Sequence, residues 1–432
     1  MLHSSDRDRT LILVGFSETS DPNGNWHFYT IDGNPFDINI FSDYPMVAIT
    51  KDKFYFTVNA VDVDSTWQDG FVETYIWEID KFSGYNGDSL EAVMYNEILF
   101  GGQPIRNLCP ITPANEGLLD KQYFLSNRNF AVENDTFFLV TLDNGLVDVR
   151  TLIADTPYGV PPNAVQNNSL TLQTNDARVL DAFYLDGKVQ FVNNCVNPVN
   201  GFASIYHGRI ADIENSNSVS GDVIAYGDLE LGYPDISYAG VQPGEDHSII
   251  VVSHVGEGRF PGISALEYDG STYSELVTLH EGTGVINQIG GSLQRWGDYS
   301  GNQRIYNLPG ACWTVSSFGR SNREYGVGIN ELSRSDINVS SRDVQHIPHK
   351  IYPNPVSDWV EIEFEIPSRS LITINLFDLR GQGIREIVTT TPKKTGQATF
   401  RFATDHLSSG TYIISASSEE GILFSDRIII SN

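Results

Sequence analysis

The stretch "DYPMVAITKDKFYFTVN", Asp43–Asn59, decides the fold. It reads as a Tyr-Pro step, a short strand, an acidic turn and a stronger strand rich in aromatic and β-branched residues. "GYPDISYAGVQPGEDHSIIVVSH" (Gly232–His254) repeats the order, and "DARVLDAFYLDGKVQFVNN" (Asp176–Asn194) keeps the strand–turn–strand rhythm without the Tyr-Pro. "RWGDYSGNQRIYNLPGACWTVSS", from Arg295, starts a further copy. The copies lie roughly 50 to 65 residues apart, the size of a four-stranded unit in a radial array.

Between the copies run more short strands, such as "TLILVGFS" (Thr10–Ser17), "VETYIWEID" (Val72–Asp80), "DTFFLVTLD" (Asp135–Asp143) and "FASIYHGRI" (Phe202–Ile210). Gly, Asp, Asn and Pro bound them, and helical periodicity is almost absent. The expectation is an all-β chain. A β-propeller of about five to seven blades occupies residues 1–332. A polar linker, "SRSDINVSSRDVQHIPH", covers 333–349, and a small immunoglobulin-like β-sandwich covers 350–432. In the last domain "WVEIEFEI" (Trp359–Ile366) sends Val360, Ile362, Phe364 and Ile366 one way and its glutamates the other.

The 432 residues are too many for one small core, and a hydrophobic share of 40% argues against a disordered chain. The net charge is −28; residues 350–432 hold 8 basic and 10 acidic residues, so the first 349 carry −26. That field repels phosphate backbones and anionic lipid, which excludes nucleic acid as an expected partner, and it attracts cations such as Ca2+. No cofactor is required by any motif. No apolar run approaches the ~20 residues that span a bilayer, so an integral membrane protein is not expected. Cys109, Cys195 and Cys312 form no C-x-x-C pair and are expected as buried free thiols, with at most one disulfide within the chain.

Three ordered motifs close the chain. "YPNP" (Tyr352, Pro353, Asn354, Pro355), "LFDLRGQ" with Asp378 and Gly381, and "LSSGTYII" with Gly410 and Tyr412 resemble the type A sorting domain of the type IX secretion system of Bacteroidetes. Arg427 stands where that family often has a lysine. The resemblance implies recognition by the type IX translocon, and a place outside the cell or on the outer-membrane surface. The prolines are expected to stiffen the approach to the first strand, Gly381 to take a positive φ, and Gly410 to turn the chain before Tyr412 enters the core. The N-terminus "MLHSSDRDRTLILVGFSE" has no basic region followed by a long apolar one, so it is not a signal peptide; the expectation is that the N-terminus of the exported protein is missing here.

The N-terminal part is similar to large propeller proteins that carry this sorting domain, a group without a defined activity. "TSDPNGNW" (Thr19–Trp26) resembles a loosened Asp-box turn of sialidase-like propellers. There Asp21 is expected to accept turn amides, Gly24 to take an unusual backbone angle and Trp26 to anchor the turn.

"RWGDYSGNQR" (Arg295–Arg304) is the densest group of functional side chains. Asp298, between glycines, suits a Ca2+ ligand or a partner for Arg295 or Arg304, and Trp296 and Tyr299 suit stacking on a sugar ring. The plainer reading is that Asp298 caps a turn and Trp296 fills the gap between blades. Asp43 and the Asp176–Arg178 segment occupy similar places in other copies, so Asp43, Asp176 and Asp298 are expected to converge at a channel mouth if the site is functional. The candidate ligand set is Asp43, Asp176, Arg178, Arg295, Trp296, Asp298, Tyr299 and Arg304. No G-x-S-x-G, H-E-x-x-H or P-loop occurs. Two functions remain: a secreted propeller that binds glycan, protein or surface polymer, and a secreted glycoside hydrolase or sialidase-like enzyme.

Overall fold

The computed structural model describes residues 2–3, 10–114, 117–166, 170–335, 347–366, 371–377, 383–388, 394–404, 407–418 and 421–431. The chain divides into two compact units, Met1–Arg334 and Ser335–Asn432.

Unit one is a β-propeller of antiparallel meanders. Its second sheet is typical: Ile40–Ile49, Lys53–Asp62, Phe71–Asp80 and Ala92–Tyr95 lie side by side in chain order. A three-stranded sheet precedes it, with Thr10–Ser17 at its centre. The third sheet builds on Asn134–Asp143 and the fourth on Lys188–Val196, the two joined into one nine-stranded sheet by a parallel pairing of their last strands; the fifth builds on Ser248–Gly256 and the sixth on Ala311–Gly319. The first strands of sheets two to six touch in series, so they line a common axis.

Sheets two to five are covered on both faces, which is why their middle strands are not alternating, whereas Thr10–Ser17 of the first and Ala311–Gly319 of the sixth alternate. "SIIVVSHVG", Ser248–Gly256, is buried at every position. One face packs against the fourth sheet through Ile250 and Val252, and the other meets Cys312 of the sixth through Ile249. The third and fourth sheets interlock most heavily: Phe137 lies 4.8 Å from the rings of both Tyr158 and Phe191. Cys109, Cys195 and Cys312 are buried and free.

The Tyr-Pro steps are bulges in the innermost strands. Proline has no amide hydrogen for the ladder, so the chain skips it. Register shifts between Asp43 and Met46 and between Gly232 and Asp235. Tyr44 and Tyr233 sit inside these shifts at φ of 56° and 51°, a region costly for bulky residues. Both rings are buried, and packing holds them there.

The turn at Thr19–Trp26 differs from the Asp-box expectation. Asp21 accepts the Asn23 amide at 2.9 Å, as expected. Gly24 does not take a positive φ. Trp26 does not anchor in the blade: it is exposed, stacks on Phe28 and donates to the Pro22 carbonyl. Both aromatic rings lie on the outward face of the first sheet, so the turn has no core beneath it.

Unit two is a sandwich of a three-stranded sheet, in the order His349–Tyr352, Trp359–Ile366, Gly396–Ala403, and a four-stranded sheet, in the order Gly383–Val388, Thr373–Phe377, Gly410–Ser418, Gly421–Ile430. Val360, Ile362, Phe364 and Ile366 fill its core with Ile414 and Phe424. Asn354 of the YPNP motif clamps the last strand, accepting from the Ile429 amide at 2.9 Å and donating to the Arg427 carbonyl at 3.0 Å. Tyr352 donates to Glu361 or Glu363. Tyr412 packs against the rim of the core and does not enter it, because its hydroxyl reaches out to the Ser408 carbonyl at 2.9 Å. Gly410 takes no positive φ. Asp378 and Gly381 lie outside the described residues.

The two units have separate cores, so a core deletion in one should spare the other. Phe137→Ala should destabilise the propeller by ~3–5 kcal/mol. Urea unfolding followed by tyrosine and tryptophan fluorescence should show its transition at lower denaturant, with the transition of the sandwich unchanged.

Candidate functional site

Two segments far apart in sequence meet at the mouth of the channel. Thr171–Gln173 pairs in parallel with Leu293–Arg295, placing Gln173 opposite Arg295. The loops that follow therefore run side by side, and the Asn175 amide donates to Asp298 at 3.2 Å. Asn175 takes a φ of 59°, which asparagine tolerates well.

Beneath these loops lies a buried ion pair. Asp176 accepts from Arg178 Nε at 2.7 Å, from its terminal nitrogen at 2.8 Å and from its backbone amide at 3.0 Å. Asn129 adds a donor at 2.6 Å. The Arg178 guanidinium then lies 4.3 Å over the ring of Tyr44, and Tyr44 stacks on Tyr299 at 5.0 Å with planes 13° apart. Tyr299 is 55% exposed. Trp67 stands nearby, its ring against the Arg106 guanidinium, which also donates to the Trp67 carbonyl.

These groups surround a cavity of about 630 Å³. Of the residues expected from sequence, Asp43, Arg178, Arg295, Asp298 and Tyr299 line it. Three lie elsewhere. Trp296 is wholly buried, edge-on to Tyr233, and wedges the gap between strands; no face is left for a ligand. Asp176 is also wholly buried, behind the cavity, with its oxygens committed to Arg178 and Asn129. Arg304 belongs to a second cavity further along the channel, donating to the Ala114 carbonyl at 2.8 Å. Asp43 and Asp298 thus share the mouth, whereas Asp176 supports it from below. Asp298, expected as a calcium ligand, is occupied by the Arg295 guanidinium and by Asn175. Among the described residues no group of three or more His, Cys, Asp or Glu is placed to hold a metal ion.

Burial is the largest effect on the phenols of Tyr44 and Tyr299 and pushes both above the ordinary range, with the positive charge of Arg178 opposing it. The mouth therefore presents neutral hydroxyls, the paired charges of Arg178–Asp176 and Arg295–Asp298, and the carboxyl group of Asp43. Tyr44 and Trp67 were not read as site residues from the sequence. The repeated Tyr-Pro was a signal for Tyr44; nothing local marks Trp67, which is brought to the mouth by its contacts with Arg106, Arg178 and Phe130.

Residues 350–431 match the family described as the secretion system C-terminal sorting domain. The C-terminal unit is such a sorting domain. It marks the chain for export to the cell surface or the extracellular space by the type IX system, and among the described residues no helix is long and apolar enough to cross a membrane. No curated protein matches the chain. Solved structures with a likeness include a glycoside hydrolase (14% identity, 70% of this chain and 91% of that one, TM-score 0.36). Others are a Bombyx mori GH32 β-fructofuranosidase (11%, 90% and 87%, 0.34) and a Trypanosoma rangeli sialidase in complex with sialic acid (7%, 96% and 82%, 0.38). At TM-scores this low the likenesses carry no argument about chemistry.

The two ion pairs at the mouth should respond differently to mutation. Asp176→Ala strands a buried guanidinium and should cost ~3–5 kcal/mol. Arg295→Ala breaks a half-exposed pair and should cost less than about 1 kcal/mol. Thermal melts of both variants check this; equal shifts would show that the buried pair is not a support of the mouth.

Proposed function

We propose that this protein is an exported propeller that binds an uncharged saccharide at its channel mouth. The observation that carries the reading is the Tyr44–Tyr299 stack, which offers an aromatic face beside a 630 Å³ cavity rimmed by hydrogen-bonding groups. Sugar rings present apolar C–H faces to aromatic rings and hydroxyls to polar neighbours. The arginines at the mouth are paired, Arg178 with Asp176 and Arg295 with Asp298. Such neutralised groups suit hydroxyls better than an anionic sugar. The raised phenols of Tyr44 and Tyr299 weigh against an ionised tyrosine nucleophile. These features favour binding over hydrolysis.

A glycan array paired with a hydrolysis screen tests the reading. The full chain should retain neutral glycans, and Tyr299→Ala should weaken retention about tenfold or more, a loss of roughly 1.4 kcal/mol. Turnover of any glycan would overturn it in favour of the hydrolase.

Export rests on the other unit. In the native host, a chain ending before residue 350 should accumulate inside the outer membrane, while the full chain reaches the surface or medium; immunoblots of cell fractions report the difference. Asn354→Ala releases the last strand from its clamp and should reduce the exported fraction in the same blots.

A further inference from the structure

Further along the channel from the mouth, the first strands of sheets four, five and six enclose a second cavity of about 520 Å³. Asp181 and Asp235 both line its wall, with their carboxyl groups close enough to interact directly. Two carboxyl groups so placed resist carrying two charges, which favours one proton held between them. The Ile236 amide also donates to Asp181 at 3.2 Å. No cation is paired with either carboxyl group among the described residues. Arg304, the charged neighbour on the next strand, is turned to the Ala114 carbonyl and lies 4.9 Å over the ring of Tyr238.

The same wall carries polar atoms without partners. Thr314 is 1% exposed and lines the cavity, yet its Oγ1 makes no hydrogen bond. It sits opposite Asn302 in the ladder, and Asn302 Oδ1 is also unpaired, although its amide nitrogen donates to the Ile249 carbonyl. Arg304 Nε is a third such atom. Buried polar groups are nearly always satisfied, so three on one wall mark a space that something polar fills. The set is two carboxyl groups and two neutral oxygens that accept, with one donor. Trp313 and Tyr238 add aromatic surface.

We propose that this cavity binds a small amino alcohol, of which amino sugars are the larger members, with the ammonium between Asp181 and Asp235 and a hydroxyl toward Arg304. An ammonium supplies three donors and a positive charge where the wall supplies acceptors and an uncompensated negative one. Aromatic walls suit the carbon skeleton and attract the charge. The size of the space favours an organic ligand, since a bare metal ion would fill a small part of it.

The ammonium takes the place of the shared proton, which gives binding a signature. Burial raises both carboxyl groups above the ordinary range, and the charge of Asp181 raises Asp235 further. The remaining groups that face them are the Arg304 guanidinium and three groups raised by burial, the Cys109 and Cys312 thiols and the Tyr238 phenol. One proton is released per ligand bound, so affinity should rise with pH, by about tenfold per unit over the range in which the free pair still holds that proton, and level off above it. This site is independent of the mouth.

Calorimetry on the full chain with glucosamine and with glucose tests the proposal, because the two differ only in an ammonium for a hydroxyl. Glucosamine should bind at least tenfold more tightly than glucose, with one proton released, as read from titrations in two buffers of different ionisation enthalpy. Asp235→Asn and Asp181→Asn, each checked for an intact melt, should abolish the preference; Tyr299→Ala should not affect it. Equal binding of the two sugars by the unaltered protein, a flat pH profile or full binding by Asp235→Asn would overturn it. So would a melting shift with CaCl2 but none with glucosamine, which would make the pair a metal site.

Discussion

The buried pair of Asp176 and Arg178 is the contact on which the channel mouth depends. Asp176 gains its acceptors' partners from two directions, Arg178 on its own segment and Asn129 from the end of the third sheet. Arg178, held flat by that bidentate contact, supports the ring of Tyr44 from the second sheet. Tyr44 in turn receives Tyr299 from the loop that leads into the sixth. One ion pair therefore ties together four parts of the ring that are remote in sequence. A buried pair is expensive to desolvate and easily outdone by apolar packing, so its worth here lies in orientation more than in stability.

Around this support the fold follows from two-sided burial. A sheet covered on both faces needs apolar residues in both phases, as in Ser248–Gly256. A sheet covered on one face alternates, as in Trp359–Ile366 of the sandwich. The contrast between these two strands separates the two units more surely than the linker does. It also explains the Tyr-Pro bulges: only a strand on the channel axis can lose a ladder bond at proline without opening the interior of a sheet.

Much of the architecture was legible because strand chemistry is local. The strand at Lys53–Asp62, the free cysteines and the outward glutamates of Trp359–Ile366 all appear where pattern placed them. The Asp-box likeness misled because the turn kept its polar residues while losing the core beneath Trp26. At the mouth, charge and aromaticity picked out Asp43, Arg178, Arg295, Asp298 and Tyr299, but could not tell a lining side chain from a supporting one. Trp296 and Asp176 have the same chemistry as their neighbours and differ only in facing inward. Asp181 and Asp235 escaped notice among 55 acidic residues because their partnership exists only across two strands.

By itself the sequence determined the strand content, the propeller and sandwich classes and the export signal, because each is written in residues close together along the chain. Only the tertiary structure decided which side chains share a cavity. That depended on the parallel pairing of Thr171–Gln173 with Leu293–Arg295, a contact between segments more than a hundred residues apart. Backbone hydrogen bonds of that kind leave no mark on side-chain pattern, so the site they assemble is visible only once the ring is in place.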